Sequence, residues 1–353
     1  MRLMRVISAK FPLLPTKTSK LSVNREDVMN KKAKKIIIGS GFFAAAVGAV
    51  TAISYKLTKS LVGAAMDREE PKIIKKGMKK MISGSGDLSD VIERMDAASE
   101  RLENSGCETV EIMSDDGLKL VGHWKTPENP KRVIVAMHGW RSSWTKDFGI
   151  ISEFWEKNDC AVLYAEQRAQ GNSEGEHMTF GLMERYDCFA WIKWAIEKTG
   201  GNLPVYLGGL SMGATTILMT AGLDLPQNVK GIVADCGFTS PHAIWKHVTS
   251  SNLHISYNGI NAMFADRLSK QKINMGTKDY STVDALKECK VPVLFIHGTD
   301  DHFVPVEMTY ENYKACASEK RLLIVPGAEH GMSYILEQKN YEDAVLKFWK
   351  DFD

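Results

Sequence analysis

Residues 205–223 read VYLGGLSMGATTILMTAGL, and the motif GLSMG at 209–213 joins a short apolar run to a second, longer one. The first run has the length and composition of a buried strand, and the second predicts a helix over 212–223. The pattern G-x-S-x-G between a strand and a helix is typical of a nucleophilic serine, because small neighbours leave room for a tight turn from which the side chain projects. We therefore predict Ser211 as a nucleophile. The alternative is a glycine-rich turn whose serine only caps the helix.

A serine nucleophile needs a general base, and the base needs an acid that orients it. Downstream, the segment FIHGTDDHFVP places Asp300 and Asp301 just after a strand-like run, and VPGAEHGM places His330 just after the next one. The order serine, acid, histidine along the chain is the order associated with this type of turn. The spacing therefore predicts a catalytic group of Ser211, one of the two aspartates and His330.

The chain from residue 107 onward alternates strand-like and helix-like segments. Continuous apolar runs, which are typical of strands covered on both faces, occupy 132–139, 160–166, 205–211, 231–236, 291–298 and 321–327. Further helical patterns fall near 147–157, 183–199 and 339–352. An Asp-Gly pair between two β-rich runs, 109–114 and 118–124, indicates a hairpin. We predict an α/β fold, a doubly wound, mostly parallel sheet with an antiparallel start, whose ligands bind at the carboxyl ends of the strands.

These motifs together resemble the α/β-hydrolase superfamily over residues 107–353. The resemblance implies the fold of that superfamily and the activity of a serine hydrolase. In the superfamily the pattern H-G-x-x-D-x-x-V-P is common around the acid, and here it reads HGTDDHFVP at 297–305. This alignment favours Asp301 as the acid and leaves Asp300 as the reserve.

The resemblance also implies an oxyanion hole made of two backbone N–H groups. The first belongs to Met212, directly after the nucleophile, and the second to Trp140, which follows the His-Gly pair after a predicted strand. Residues 237–284 match the position of the superfamily's helical cap and are short for one, which predicts an accessible site for modest-sized substrates. Trp144 and Trp245, with Trp140, are predicted to line an apolar acyl pocket; the alternative is that they pack in the core.

The predicted reaction is cleavage of a carboxylic ester, or of a thioester or amide, through an acyl-enzyme on Ser211. The same residues suit a serine aminopeptidase-like hydrolase or an acyltransferase. A different class of protein is a membrane-tethered binding protein with an inactive hydrolase fold. Such a protein is expected to have an incomplete triad, whereas this sequence contains all three candidate residues. We expect no organic cofactor and no metal. The six cysteines have no metal-ligand spacing and are predicted to be buried thiols. A disulfide is the alternative if the domain is exported.

The formal net charge of +2 conceals an asymmetry, because residues 1–80 carry a net +13 and the remainder a net −11. Within the basic part, 36–54 are 19 residues without a charge. As a helix they span about 28 Å, close to a bilayer core of about 30 Å. Lysines flank this run, and no aromatic residues are interspersed among them, so we predict a transmembrane helix over 36–55 and no nucleic-acid partner. A cleaved signal peptide and a buried soluble helix are the alternatives.

The chain is thus expected to consist of successive segments. They are a basic N-terminal segment (1–35), the transmembrane helix (36–55), a stalk or helical linker (56–106) and the hydrolase domain (107–353). Residues 1–28 are suspected not to be native, because a start at Met29 opens with the compact basic region MNKKAKKIII. By the positive-inside rule the lysines stay cytoplasmic. This predicts a single-pass cell-membrane protein with an extracytoplasmic catalytic domain, or a secreted protein after cleavage; the oligomeric state stays open.

Overall fold

The computed structural model describes residues 25–69 and 89–353, without the side chains of 25–28 and 31–46. Its strands are β1 (Glu108–Met113), β2 (Lys119–Lys125), β3 (Arg132–Met137), β4 (Cys160–Ala165), β5 (Val205–Leu210), β6 (Val229–Asp235), β7 (Val293–Gly298) and β8 (Lys320–Val325). They form one sheet in the order β1-β2-β4-β3-β5-β6-β7-β8. β2 runs antiparallel to β1 and β4, and the other neighbouring pairs are parallel. The predicted α/β sheet with an antiparallel start is confirmed.

The helices include the four that were predicted by range, near 147–157, 183–199, 212–223 and 339–352, the first of which is divided in two. They are α1 (Arg25–Met66), α2 (Ser89–Glu103), α3 (Trp144–Phe148), α4 (Ser152–Lys157), α5 (Glu184–Lys198), α6 (Met212–Thr220), α7 (Pro241–His247), α8 (Gly259–Ile273), α9 (Thr282–Lys287), α10 (Val306–Ala315), α11 (Ser333–Leu336) and α12 (Gln338–Phe352). The helix predicted over 147–157 is divided at Gly149 into α3 and α4. A Cβ at Gly149 would lie 2.8 Å from the backbone of Ala98, so α2 packs directly on this backbone.

Both faces of the sheet are covered, which explains the continuous apolar runs in the sequence. Along β3, Val133 and Val135 point to one face and join an apolar cluster with Trp191 of α5. Ile134 points to the other face and joins a cluster with Trp349 of α12. Because successive side chains of a strand alternate between faces, a strand between two helical layers is apolar at every position.

The segment predicted to cross a membrane, 36–55, lies within α1. Its side chains from 36 to 46 lie outside the described residues. Among the described residues, the structure contains no helix that is both long and apolar enough to be a membrane span. The structure therefore does not support the membrane anchor. The chain divides into two units, Met1–Ile53 and Ser54–Asp353.

The last turns of α1 belong to the second unit and pack on the hydrolase domain. Val62 and Met66 are only 3% and 1% exposed. The Met178 N–H donates to the carbonyl oxygen of Met66 at 2.6 Å. Just past the helix end, the Arg141 guanidinium donates to the carbonyl oxygen of Asp67 at 2.6 Å. These contacts satisfy carbonyl groups that a helix end leaves unpaired.

This packing differs from the stalk predicted over 56–106. Residues 56–69 contact the hydrolase domain along the end of α1, and residues 70–88 lie outside the described part of the chain. α2 lies within the segment predicted as a stalk or helical linker, and its Leu102 is fully buried in the cluster that contains Trp349. Contacts between α1 and partners more than 70 residues away leave no periodic signal in the local sequence, which is why the stalk prediction missed them.

The cap segment 237–284 consists of α7, a π-helical turn at Val248–Asn252, α8 and the start of α9. Its two longer helices begin at side-chain caps, Ser240 for α7 and Asn258 for α8. An apolar cluster joins the cap to the end of α1 and to the residue after the nucleophile. Its buried members include Val62, Met66, Phe180, Met212, Phe238, Ile244, Trp245 and Ala265.

Candidate active site

Ser211 lies in the tight turn between β5 and α6. Its backbone has φ +56° and ψ −117°, a conformation that is strained for a residue with a side chain. A Cβ at Gly209 would lie 2.6 Å from the backbone of Gly213, and a Cβ at Gly213 would overlap the carbonyl oxygen of Met137. Both glycines of the motif are therefore required by the close approach of backbone to backbone at this turn.

The structure brings Ser211, His330 and Asp301 into one chain of hydrogen bonds. The Ser211 Oγ lies 2.9 Å from His330 Nε2, and His330 Nδ1 lies 2.7 Å from Asp301 Oδ2. The three residues follow the carboxyl ends of β5, β8 and β7, which meet at one edge of the parallel sheet. This is the arrangement of nucleophile, base and orienting acid.

Of the two neighbouring aspartates, only Asp301 contacts the histidine. Its other oxygen, Oδ1, accepts hydrogen bonds from the N–H groups of Phe303 at 2.9 Å and Val304 at 2.8 Å. Asp300 is exposed, and its carboxylate accepts a hydrogen bond from the Thr299 hydroxyl at 2.7 Å. The geometry thus selects the aspartate that the HGTDDHFVP alignment favoured.

His297 supports the acid, a role that the sequence analysis did not assign. It is fully buried, and its Nε2 lies 3.0 Å from Asp301 Oδ2 and 2.9 Å from the carbonyl oxygen of Val304. Its Nδ1 lies 2.7 Å from the Thr309 hydroxyl. With Nε2 as the donor, His297 holds the same carboxylate oxygen, Oδ2, that His330 contacts. The signal for this role was the histidine that begins the H-G-x-x-D pattern.

The charges of the site favour an ionised acid beside a basic histidine. Burial alone would raise the pKa of Asp301, but the neighbouring His330 and hydrogen bonds from His297 and His330 hold it well below its usual range. Burial alone would lower the pKa of His330, but the charge and hydrogen bond of Asp301 raise it above the ordinary histidine value. His330 is thereby disposed to accept a proton from Ser211.

A second carboxyl group, that of Asp235, lies below the site at the end of β6. Burial raises the pKa of Asp235 to about 7, and its Oδ1 accepts a hydrogen bond from the Ser333 hydroxyl at 3.2 Å. Its backbone oxygen accepts the N–H of Ser211 at 2.9 Å, which links the nucleophile's turn to β6. The charge of Asp235 adds to that of Asp301 in raising the pKa of His330.

The two proposed oxyanion donors flank Ser211. The N–H of Met212 is at the first position of α6, where no intrahelical acceptor exists. A Cβ at Gly139 would lie 3.4 Å from the Cβ of Ser211, so the loop that continues into Trp140 passes beside the nucleophile. Asp147 fixes this loop by accepting the Gly139 N–H at 2.6 Å. Within the described residues, neither the Met212 nor the Trp140 N–H donates to a protein acceptor.

A cavity of about 830 Å³ opens beside Ser211. Two of the three predicted pocket tryptophans, Trp140 and Trp245, line it. The indole N–H of Trp140 donates to the carbonyl oxygen of Ala65 in α1 at 2.8 Å, and so fixes the ring against this helix. The third tryptophan, Trp144, lies elsewhere: its ring stacks on His123 at 4.1 Å, and it is not among the residues that line the cavity.

One group of potential metal ligands occurs among the described residues, and it includes the histidine and acid of the site. Atoms of Cys236, Asp301 and His330 lie within 4.8 Å of one another. His330 Nδ1 and Asp301 already bond to each other, and burial raises the pKa of the Cys236 thiol far above its ordinary value, which disfavours the thiolate that a metal needs. All six cysteines are free thiols in the structure.

Comparison with known proteins places the fold and the family. The sequence profile of the prolyl oligopeptidase family matches residues 163–352, more than half of the chain. The protein YqkD of Bacillus subtilis is 26% identical over 240 residues, which are 67% of this chain and 77% of YqkD. An esterase of Pyrococcus furiosus, Pf2001, superposes with a TM-score of 0.58 at 21% identity and covers 77% of this chain and 96% of its own. Est1E of Butyrivibrio proteoclasticus, solved with ferulic acid, superposes with a TM-score of 0.54 at 20% identity. The match covers 69% of this chain and 98% of the Est1E chain.

Proposed function

The chain belongs to the prolyl oligopeptidase family and is a serine hydrolase of the α/β-hydrolase fold, and we propose that it cleaves carboxylic esters through an acyl-enzyme on Ser211. The observation that carries the proposal is the continuous set of hydrogen bonds from Ser211 Oγ through His330 to Asp301. The esterase folds of Pf2001 and Est1E support an ester as the substrate class.

In this mechanism, Ser211 Oγ attacks the ester carbonyl while His330 Nε2 takes its proton. Asp301 keeps the imidazole in the required tautomer and stabilises its charged form. The N–H groups of Met212 and Trp140 donate to the developing oxyanion, and His330 then protonates the leaving alcohol. Water repeats the sequence on the acyl-enzyme, which releases the acid and regenerates Ser211.

An ester suits the site better than the free N-terminus of a peptide. An aminopeptidase must hold an α-ammonium group, which is costly to bury without an opposing charge. No Asp or Glu lines the cavity beside Ser211 in the described part of the chain. Family membership keeps amide cleavage as the second candidate, and an acyltransferase differs only in the acceptor that attacks the acyl-enzyme.

A substrate panel separates these reactions. We expect p-nitrophenyl esters to be hydrolysed and aminoacyl p-nitroanilides to be cleaved slowly or not at all, with the ester activity lost in Ser211→Ala. Preferred cleavage of the anilides would replace the ester proposal with the peptidase. Transfer to an added alcohol in preference to water would identify an acyltransferase. Full activity in Ser211→Ala would contradict the site itself.

We further propose, from the sequence, attachment to the cell membrane through 36–55 with the catalytic domain outside, or secretion after cleavage. Fractionation of cells that express the full chain, followed by protease treatment of intact cells, tests this location. A catalytic domain that is found in the membrane fraction and is accessible to protease agrees with the anchor. Protein in the culture medium indicates cleavage, and protein confined to the soluble cell fraction contradicts both.

A further inference from the structure

We infer that the cavity beside Ser211 binds a linear aliphatic acyl chain of medium to long length, so that the preferred substrates are esters of fatty acids. The inference rests on the proposed ester hydrolysis and names the substrate class of the same site. A pocket of about 830 Å³ is large for a short acyl group, since small-molecule sites range over about 300–1,000 Å³. This size differs from the modest-sized substrates that the short cap predicted.

One wall of the cavity is formed by α1. Leu57, Leu61 and Ala65 line it at four-residue spacing, so they lie on one face of the helix over about 12 Å. The Ala65 end is the one near the nucleophile, because the carbonyl of Ala65 accepts the indole N–H of Trp140, itself adjacent to the Ser211 loop. A chain attached to Ser211 can therefore extend away from the reacting carbonyl towards Leu57.

The cap lines a further part of the cavity with both apolar and polar side chains. Its apolar lining residues are Phe238, Ile244, Trp245, Val248, Leu253, Ile255 and Ala265. Among the described residues that line the cavity there is no Lys, Arg, Asp or Glu. A charged group would lose its hydration here without gaining a partner, whereas methylene groups gain from leaving water.

Some of the polar side chains in the wall are hydrogen-bonded within the protein. The Thr249 hydroxyl donates to the carbonyl oxygen of Trp245 at 2.6 Å. The Asn261 amide donates to the carbonyl oxygen of Ser256 at 2.8 Å, and the Thr58 hydroxyl donates to the same Asn261 side chain at 3.4 Å. Three other polar atoms of lining residues, Tyr257 Oη, Trp245 Nε1 and Asn252 Oδ1, are buried without a protein partner in the described part of the chain, so the apolar lining residues carry the inference.

A chain-length series tests the inference on the full-length protein. The probes are p-nitrophenyl acetate, butyrate, octanoate and decanoate, each kept below the concentration at which it forms micelles. Each methylene that leaves water contributes up to about fourfold in affinity. We expect kcat/KM to rise by at least about tenfold from butyrate to octanoate. A kcat/KM that is highest for acetate and falls with length would overturn the inference and leave ester hydrolysis intact.

Variants at two exposed positions of the cavity lining test its location. Leu57 is 40% exposed and Leu253 is 39% exposed, so each accepts a larger side chain without disturbing the core. We expect Leu57→Trp and Leu253→Trp each to lower the ratio of decanoate to butyrate kcat/KM by about tenfold, in proportion to the methylenes excluded. Ser60→Trp, exposed on the same helix and outside the cavity, is the control and keeps the wild-type ratio.

The outcomes separate the inference from the proposed function. A rise with chain length that neither tryptophan variant alters would overturn the assignment of the cavity. A protein that hydrolyses none of the four esters, and that a small fluorophosphonate does not label at Ser211, would overturn the proposed function and the inference together. Labelling with fluorophosphonate but preference for acetate overturns the inference alone.

Discussion

Ser211 is held in a strained backbone conformation by neighbours that leave no room for other side chains. Gly213 contacts the carbonyl of Met137 at the end of β3, and Gly209 contacts the backbone of Gly213. The strain is therefore maintained by packing between the turn and the sheet. This is why the motif was visible in the sequence: the turn can be built only with glycine at these two positions.

Gly213→Ala is expected to destabilise the protein by about 1–3 kcal/mol or more and to abolish ester hydrolysis, because its Cβ would overlap the Met137 carbonyl. Urea unfolding and an ester assay measure the two effects. Gly259→Ala at the start of α8 is the matched control, since a Cβ there meets nothing within 4 Å. Its effect on stability is expected to stay within about 1 kcal/mol. Equal losses of stability and of ester hydrolysis in Gly213→Ala and Gly259→Ala would refute the packing argument.

Asp301→Asn is expected to reduce kcat by about 10³–10⁴-fold, because the imidazole loses the acid that fixes its tautomer. The pH profile provides a second readout. In the wild type, kcat/KM rises as His330 loses its proton, with an inflection above the ordinary histidine value, because Asp301 raises the pKa of His330. Removing this charge moves the inflection to lower pH.

Asp300→Asn is the control for this prediction, because Asp300 is exposed and bonds only to Thr299 through its side chain among the described residues. It should leave both kcat and the inflection unchanged. A loss of activity in Asp300→Asn comparable to that in Asp301→Asn would contradict the assignment of the acid.

At the scale of elements, the strands and most helices could be predicted because their signals are local. A strand buried on both faces is a continuous apolar run, and α6 begins where the glycine motif ends. The end of α1 could not be predicted in this way. Its partners, Arg141 and Met178, lie more than 70 residues along the chain, and its apolar residues also suit a linker or a membrane segment. The prediction that Trp144 lines the pocket failed for a similar reason. Trp144 follows Trp140 closely in the sequence, but it is the first residue of α3 and does not line the cavity.

Two truncations test the role of α1. A chain that begins at Ser54 keeps the whole cavity and is expected to retain wild-type ester activity. A chain that begins at Ser89 lacks the wall formed by Leu57, Leu61 and Ala65, together with the buried Val62 and Met66. Burial of each of these last two side chains contributes about 1.5–3 kcal/mol, so this chain is expected to be less stable by several kcal/mol. Thermal unfolding and octanoate hydrolysis measure the difference, and equal behaviour of the two chains would show that α1 is dispensable.

At the scale of the whole molecule, the topology of the sheet assembles the site. Ser211 and His330 are 119 positions apart in the sequence, yet each follows a strand whose carboxyl end reaches the same edge. The net charge of −11 in residues 81–353 does not extend into the cavity, whose described lining contains one histidine, His254, and no Lys, Arg, Asp or Glu. Attraction to the substrate thus comes from apolar contact and not from charge.

The central claim is that Ser211 carries the acyl group during turnover. Rapid acid quenching of the full-length protein with an octanoate ester, followed by peptide mass spectrometry, measures this directly. We predict an added octanoyl group on the peptide that contains Ser211, present early in turnover and missing in Ser211→Ala. Steady ester hydrolysis with no acyl group on this peptide, or with the group on another residue, would contradict the account.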